Sequence, residues 1–233
     1  GGYAESEHYI REALTRFQRT GFADSEDGFF CVKEIAVSRL LQGDPAEAGK
    51  LLQEVLPRAV KQLGPDHYLT LHIQRALVRA FAEERKLDEA EALCRQTLNA
   101  LRRTKADQEG VGTGRTLLYL GRVLVEKGKL DEAEPLLQEA LTLLRQDVAS
   151  KLRPELPAQA ANWLGAIQLA RKAYPEAEAL LLPGSERFFA ANAEMSPHER
   201  RLAVSHIVKL YEASNRPKEA AAWQRRLDAL AKP

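Results

Sequence analysis

The chain is poor in the residues that build catalytic, disulfide or membrane chemistry. Of 233 residues only two are cysteine, one is methionine and 6% are aromatic. Two cysteines, Cys31 and Cys94, cannot make a disulfide framework, and Cys94 falls on an apolar helix face as a small core residue. No apolar run approaches the ~20 residues of a membrane span, and no signal peptide opens the chain. An excess of one charge is missing too: 34 basic and 33 acidic residues leave a net +1. That balance gives no case for nucleic acid or for direct membrane contact.

Catalytic and metal-binding patterns are equally scarce. The five histidines, His8, His67, His72, His198 and His206, are scattered, and no Cys or carboxylate cluster gives them ligand spacing. Ser185, Ser196 and Ser205 lack the nucleophile-elbow context, and neither cysteine has a base partner. Gly110-Val111-Gly112-Thr113-Gly114 looks like a phosphate loop only in composition. Phosphate loops join a strand to a helix, whereas here the preceding segment reads as helix, so a frayed helix start is expected. No enzyme activity, catalytic residue, metal or cofactor is expected.

What the chain has is repetition. The phrases Ala46-Glu47-Ala48, Asp88-Glu89-Ala90, Asp131-Glu132-Ala133, Pro175-Glu176-Ala177 and Lys218-Glu219-Ala220 recur, with an earlier echo ending at Ser6. The last residues of these phrases are spaced by 42, 42, 43, 44 and 43. A period of this size marks one supersecondary unit stacked on itself. In the cleanest copy, Leu117, Leu120, Gly121 and Leu124 form one helical stripe, and Leu136, Leu137, Ala140, Leu141 and Leu144 form a second. Gly128 between them predicts a helix C-cap, and Asp131 with Glu134 predicts the next N-cap. Gly43-Asp44-Pro45 and Ser196-Pro197 each place a capping residue before a helix-opening proline. Small or slim residues, Ala36, Val78, Gly121, Gly165 and Val208, precede each aligned alanine by twelve positions, where two helices should touch.

These residues resemble the tetratricopeptide repeat over nearly the whole chain. The period exceeds the usual repeat of about 34 and is similar to the kinesin light chain type. Leu63-Gly64-Pro65-Asp66-His67 resembles the phrase between repeats of that type, with Tyr68 where a proline is usual, and Ala161-Asn162-Trp163-Leu164-Gly165 resembles its first-helix phrase. The ending, Lys209 to Ala213 and Lys218 to Trp223, is similar to arrays attached to bacterial serine/threonine kinases. The resemblance implies an all-α fold, a right-handed α-α superhelix of about five hairpins plus one leading helix. The expected organisation is a single array over 1–233: a half-repeat at 3–20, then pairs at 24–63, 66–104, 108–150, 155–192 and 197–231. The half-repeat suggests a piece of a longer protein, and Gln224, Arg225, Arg226, Asp228 and Lys232 give the last helix a polar outer face.

The resemblance also implies a concave surface formed by fixed first-helix positions. These fall on Phe30, Lys33, Val37 and Leu40; His72, Arg75, Arg79 and Ala82; and Arg115, Leu118, Arg122 and Val125. The last two pairs supply Gln159, Asn162, Ala166 and Leu169, then Leu202, Ser205, Lys209 and Glu212. The candidate binding residues are Lys33, His72, Arg75, Arg79, Arg115, Arg122, Asn162, Ser205 and Lys209. The arginines would suit an extended acidic segment, and Asn162 could bond a peptide backbone. Alternatively, Arg79 with Glu83 and Arg122 with Glu126 are spaced to pair along their own helices. The family's clamp for a terminal carboxylate is not expected, because Val37 stands where the asparagine partner of Lys33 belongs.

The leading functional expectation is a non-catalytic scaffold, cytoplasmic, that binds a protein or peptide. A second is a regulatory arm of a bacterial signalling enzyme such as a serine/threonine kinase, extracytoplasmic if a membrane span precedes it. A third is weak self-association through residues 3–20, where Tyr9, Ile10 and Leu14 lack a helix to pack on.

Overall fold

The computed structural model describes residues 2–104, 110–146, 153–190 and 193–230. Among them are eleven α-helices, one short 3-10 helix and no strand. The chain divides into two compact units, Gly1–Gln108 and Glu109–Pro233. The expected pair start at 108–109, the pair ends at 147–150, 191–192 and 231, and Lys232 lie outside the described residues.

The first unit holds α1 (Gly2–Arg19), α2 (Glu26–Gln42), α3 (Pro45–Leu63), α4 (Tyr68–Glu83) and α5 (Leu87–Thr104). Helices α2/α3 and α4/α5 are hairpins, and α1 packs on α2 as a second helix without a first. Glu7, 4% exposed, pins α1: its carboxylate accepts from Arg11 at 2.7 Å, Arg39 at 2.6 Å and Gln42 at 2.9 Å.

The second unit holds α6 (Val111–Glu126), α7 (Leu130–Gln146), α8 (Glu155–Ala170), α9 (Tyr174–Leu181), α10 (Pro197–Ala213) and α11 (Pro217–Ala229). Here α9 stops early, at Pro183-Gly184, and a 3-10 turn follows over Ser185–Phe189. Arg200 holds the residues on either side of 191–192: its guanidinium donates to the carbonyls of Ala190 at 2.9 Å and Ala193 at 2.8 Å. Phe188, Ala193 and Met195 close the core beneath it with Ala158, Ala203 and Val204.

One turn design joins every hairpin. Gly43, Arg85, Gly128, Lys172 and Asn215 sit five residues before the aligned alanines, and all five have positive φ, between 57° and 86°. At Gly128 the glycine N–H donates to Val125 and the Lys129 N–H to Leu124, both at 2.9 Å. This is the double bond of a Schellman motif, which satisfies carbonyls the ending helix would orphan. The predicted cap glycine is therefore one member of a set that also includes Arg85, Lys172 and Asn215. The predicted N-cap at Asp131 shifts: α7 begins at Leu130, so Asp131 lies in the first turn, where its charge favours the helix dipole. Asp88 stands likewise in α5. Asp44 and Ser196 do cap, accepting from Glu47 N–H at 3.2 Å and Glu199 N–H at 3.1 Å.

The aligned alanines Ala48, Ala90, Ala133 and Ala177 are fully buried. Opposite them the helices touch closely: a Cβ on Gly165 would lie 2.6 Å from Leu181 Cγ, and one on Gly121 would collide with Leu137. Small residues at this crossing let leucine ridges of the second helix seat against the first helix's backbone.

Candidate functional site

Stacking places equivalent positions of neighbouring first helices side by side. In the first unit Tyr68 on α4 aligns with Glu26 on α2, and the Tyr68 hydroxyl donates to the Glu26 carboxylate. One turn on, His72 aligns with Phe30. Tyr68 meets His72 edge-on at 5.8 Å, and Lys33 Nζ lies over the Phe30 ring at 4.5 Å while pairing with Glu34. Phe30 and Tyr68 remain 48% and 52% exposed. Large aromatic side chains left open in this way are characteristic of surfaces that bind other molecules.

The surroundings are negative. The hydrogen bond to Glu26 raises the Tyr68 pKa, helped by its burial and by the charges of Glu26 and Asp27. Cys31 is raised first by burial and then by Asp27 and Glu34.

The basic candidates differ in exposure. Lys33, Arg75 and Arg79 are buried, as is Arg122, while His72 and Lys209 are exposed and Arg115 and Ser205 are half-buried. In the second unit the first helices spend their polar groups on one another. Arg122 Nε donates to Glu126 at 2.9 Å, the expected pairing along one helix, and its Nη1 donates to Glu199 on α10 at 3.2 Å. Asn162 uses both ends of its amide internally: Nδ2 donates to the Ala203 carbonyl at 3.0 Å, and Oδ1 meets His206 Nδ1 at 2.8 Å. Burial, with Lys209 and Arg122 nearby, drives the His206 pKa down to about 3, so the ring is neutral and donates to Asn162. Trp163 packs edge-on against it at 5.0 Å. The cavity among Arg122, Gln159, Asn162, Trp163, Glu199 and Leu202 holds about 10 Å³, the room of a single water. Ser205 donates to its own helix at Leu202.

Four of the candidate cations, Lys33, Arg75, Arg79 and Arg122, are thus buried in the fold. Glu26, Tyr68, Trp163, His206 and Glu199 were not among the candidate binding residues read from the sequence. Tyr68 carried a signal, as the departure from the usual proline, and its alignment with Glu26 follows from the period. The glycines at 110–114 open α6, where Gly114 packs on Leu143 and Leu144. Among the described residues no group of three or more His, Cys, Asp or Glu could hold a metal ion, and no helix is long and apolar enough to cross a membrane.

A family model described as tetratricopeptide repeat matches residues 28–103 and 82–146. Among solved structures, BtubC (BKLC) from P. vanneervenii is similar at TM-score 0.66 and 18% identity, covering 99% of this chain and 91% of that one. A putative kinesin light chain with nearly identical TPR-like repeats, from Podosopora anserina, gives 0.58 at 22% identity, covering 86% and 93%. PilF of Pseudomonas aeruginosa gives 0.53 at 12% identity, covering 99% and 94%. No curated protein matches the sequence.

Proposed function

Because the chain belongs to the tetratricopeptide repeat family, whose repeats are generally protein–protein interaction scaffolds, we propose that it is a non-catalytic cytoplasmic module that holds a protein segment on the first-helix face of its first unit. One observation carries this reading. Phe30 and Tyr68 stand exposed on adjacent helices of that face, whereas the corresponding face of the second unit spends Arg122 and Asn162 on internal bonds. Exposed aromatics held on rigid helices make efficient anchors, because little conformational freedom is lost on binding. Were a kinase domain encoded upstream, the same face would serve as its regulatory arm; sequencing the gene upstream of residue 1 decides that.

The test is a selection of displayed random peptides on the purified chain, followed by rebinding to Phe30→Ala/Tyr68→Ala. Enriched peptides should lose most of their affinity for the double variant and keep it for Lys61→Ala, at an exposed position of α3. Peptides that bind the double variant equally well would overturn the reading.

A second reading rests on α1, where Tyr9 is 63% exposed and Ile10, Ala13 and Leu14 are half-buried. That stripe supports weak pairing between copies. Light scattering should show mass rising with concentration, and Tyr9→Glu should abolish the rise; a strict monomer at high concentration would refute it.

A further inference from the structure

The corner formed by Glu26, Asp27 and Phe30 on α2 and Tyr68 on α4 is both aromatic and acidic. Glu26 and Asp27 are exposed, and Glu26 bonds the Tyr68 hydroxyl through its carboxylate. Basic residues of the first unit are committed elsewhere among the described residues. Lys33 is buried beside Glu34, Arg58 pairs with Asp24, and Arg75 is buried. The raised pKa of Tyr68 reports the same negative field.

The chain shows elsewhere what such a corner accepts. Arg226 lies over Phe189 at 4.1 Å and over Trp223 at 4.5 Å, while Glu186 accepts its two Nη groups at 2.8 and 2.7 Å. Arg216 repeats the pattern, over Tyr211 at 4.5 Å with Glu178 accepting at 2.8 Å. In both cases a guanidinium stacks on an aromatic face and donates to a carboxylate, Arg226 through both Nη groups and Arg216 through Nη1 alone. At the first-unit corner the aromatics and the carboxylates are present, and the described chain supplies no arginine on top of Tyr68. Phe30 already carries one cation on its ring, the ammonium of Lys33.

We propose that this corner is a docking site for an arginine-bearing basic segment of a partner protein, one guanidinium stacking on Tyr68 and Phe30 and pairing with Glu26 and Asp27. The proposal rests on the interaction-module reading and gives the ligand a charge opposite to the one the basic residues of the sequence imply.

Fluorescence anisotropy with short labelled peptides tests it: an Arg-Gly repeat, and a Glu-Gly repeat of equal length. The Arg-Gly peptide should bind, and Phe30→Ala/Tyr68→Ala should weaken it by about tenfold. Glu26→Gln/Asp27→Asn should weaken it similarly, and Lys61→Ala, at an exposed position of α3, should not weaken it. All four corner residues are exposed, so circular dichroism should show unchanged helix content in both double variants. Arg-Gly binding that ignores the aromatic substitutions is mere charge attraction and overturns the proposal, as does tighter binding of the Glu-Gly peptide. If selected random peptides still need Phe30 and Tyr68 but carry no arginine, the basic-segment proposal falls and the interaction-module reading stands. If they do not need those aromatics, both fall.

Discussion

Arg122 on α6 and Glu199 on α10 meet at 3.2 Å although 77 residues separate them. Their side chains are 3% and 4% exposed, and Glu199 also closes the capping box with Ser196. One ion pair thus ties the first helices of two non-adjacent repeats and holds the start of α10. Replacing Arg122 by Ala leaves Glu199 and Glu126 as buried charges without it, at a cost of about 3–5 kcal/mol. Both tryptophans, Trp163 and Trp223, lie in the second unit, so their fluorescence in a urea titration reads this unit alone. Lys209→Ala, on the exposed side of α10, should stay within about 0.5 kcal/mol of the parent. Equal midpoints for Arg122→Ala and Lys209→Ala would show that the pair does not brace the unit.

Asn162 and His206 predict a pH dependence of one sign. The folded-state pKa of His206, about 3, lies below its ordinary value of 6.5. Between those values the unfolded chain carries a proton that the folded chain refuses, so stability falls as pH falls through this window. The slope for one such proton is up to about 1.4 kcal/mol per pH unit. His198, lowered by burial and then by Arg122, adds to the same trend. Urea midpoints followed from pH 7 to pH 4 should drop less steeply for His206→Gln than for the parent. Asn162→Ala strands the Ala203 carbonyl and the His206 ring nitrogen, costing about 1–3 kcal/mol at neutral pH. A parent slope that His206→Gln leaves unchanged would place the titrating group elsewhere.

The hairpins were readable because their signals are local. Leucine stripes, small crossing residues such as Gly121 and Gly165, and the proline-flanked caps Asp44 and Ser196 each act within one or two turns of chain. The site was less readable because burial is a property of neighbours. Arg122 and Glu126 are spaced for a helix-surface pair, but their burial depends on α8 and α10, and no spacing announces Glu199. Asn162 looked available to a ligand until α10 brought Ala203 and His206 to its two amide ends. Conversely, Tyr68 is open because it occupies the exposed first turn of α4, a position the period relates to Glu26.

The turn motif makes a prediction about stabilisation. Lys172 occupies the left-handed position with φ 62° and is exposed, while the equivalent Gly128 has φ 76°. A side chain in this region costs about 1–2 kcal/mol, partly offset by the extra entropy glycine loses on folding. Lys172→Gly should therefore raise the urea midpoint of the tryptophan signal by the equivalent of about 0.5–1 kcal/mol, and Gly128→Ala should lower it by about 1 kcal/mol. A lower midpoint for Lys172→Gly would mean that the lysine makes a compensating contact.

Glu7 governs whether α1 stays docked. Burial by itself would raise its pKa, but hydrogen bonds from Arg11, Gln42 and Arg39 outweigh that and bring it below its ordinary 4.5. A depressed carboxylate contributes stability that is complete above the ordinary value and is lost as pH falls through the folded one. Acid should thus release α1 below pH 4.5, while Glu7→Gln should loosen it already at neutral pH, because a neutral amide no longer pairs with Arg11 and Arg39. Hydrogen exchange distinguishes this from global unfolding. In Glu7→Gln at pH 7 the amides of α1 should exchange faster, while those of α3, α4 and α5 keep their protection. Uniform loss across the first unit would make Glu7 a determinant of the whole unit, and unchanged exchange in α1 would show that Glu7 does not govern its docking.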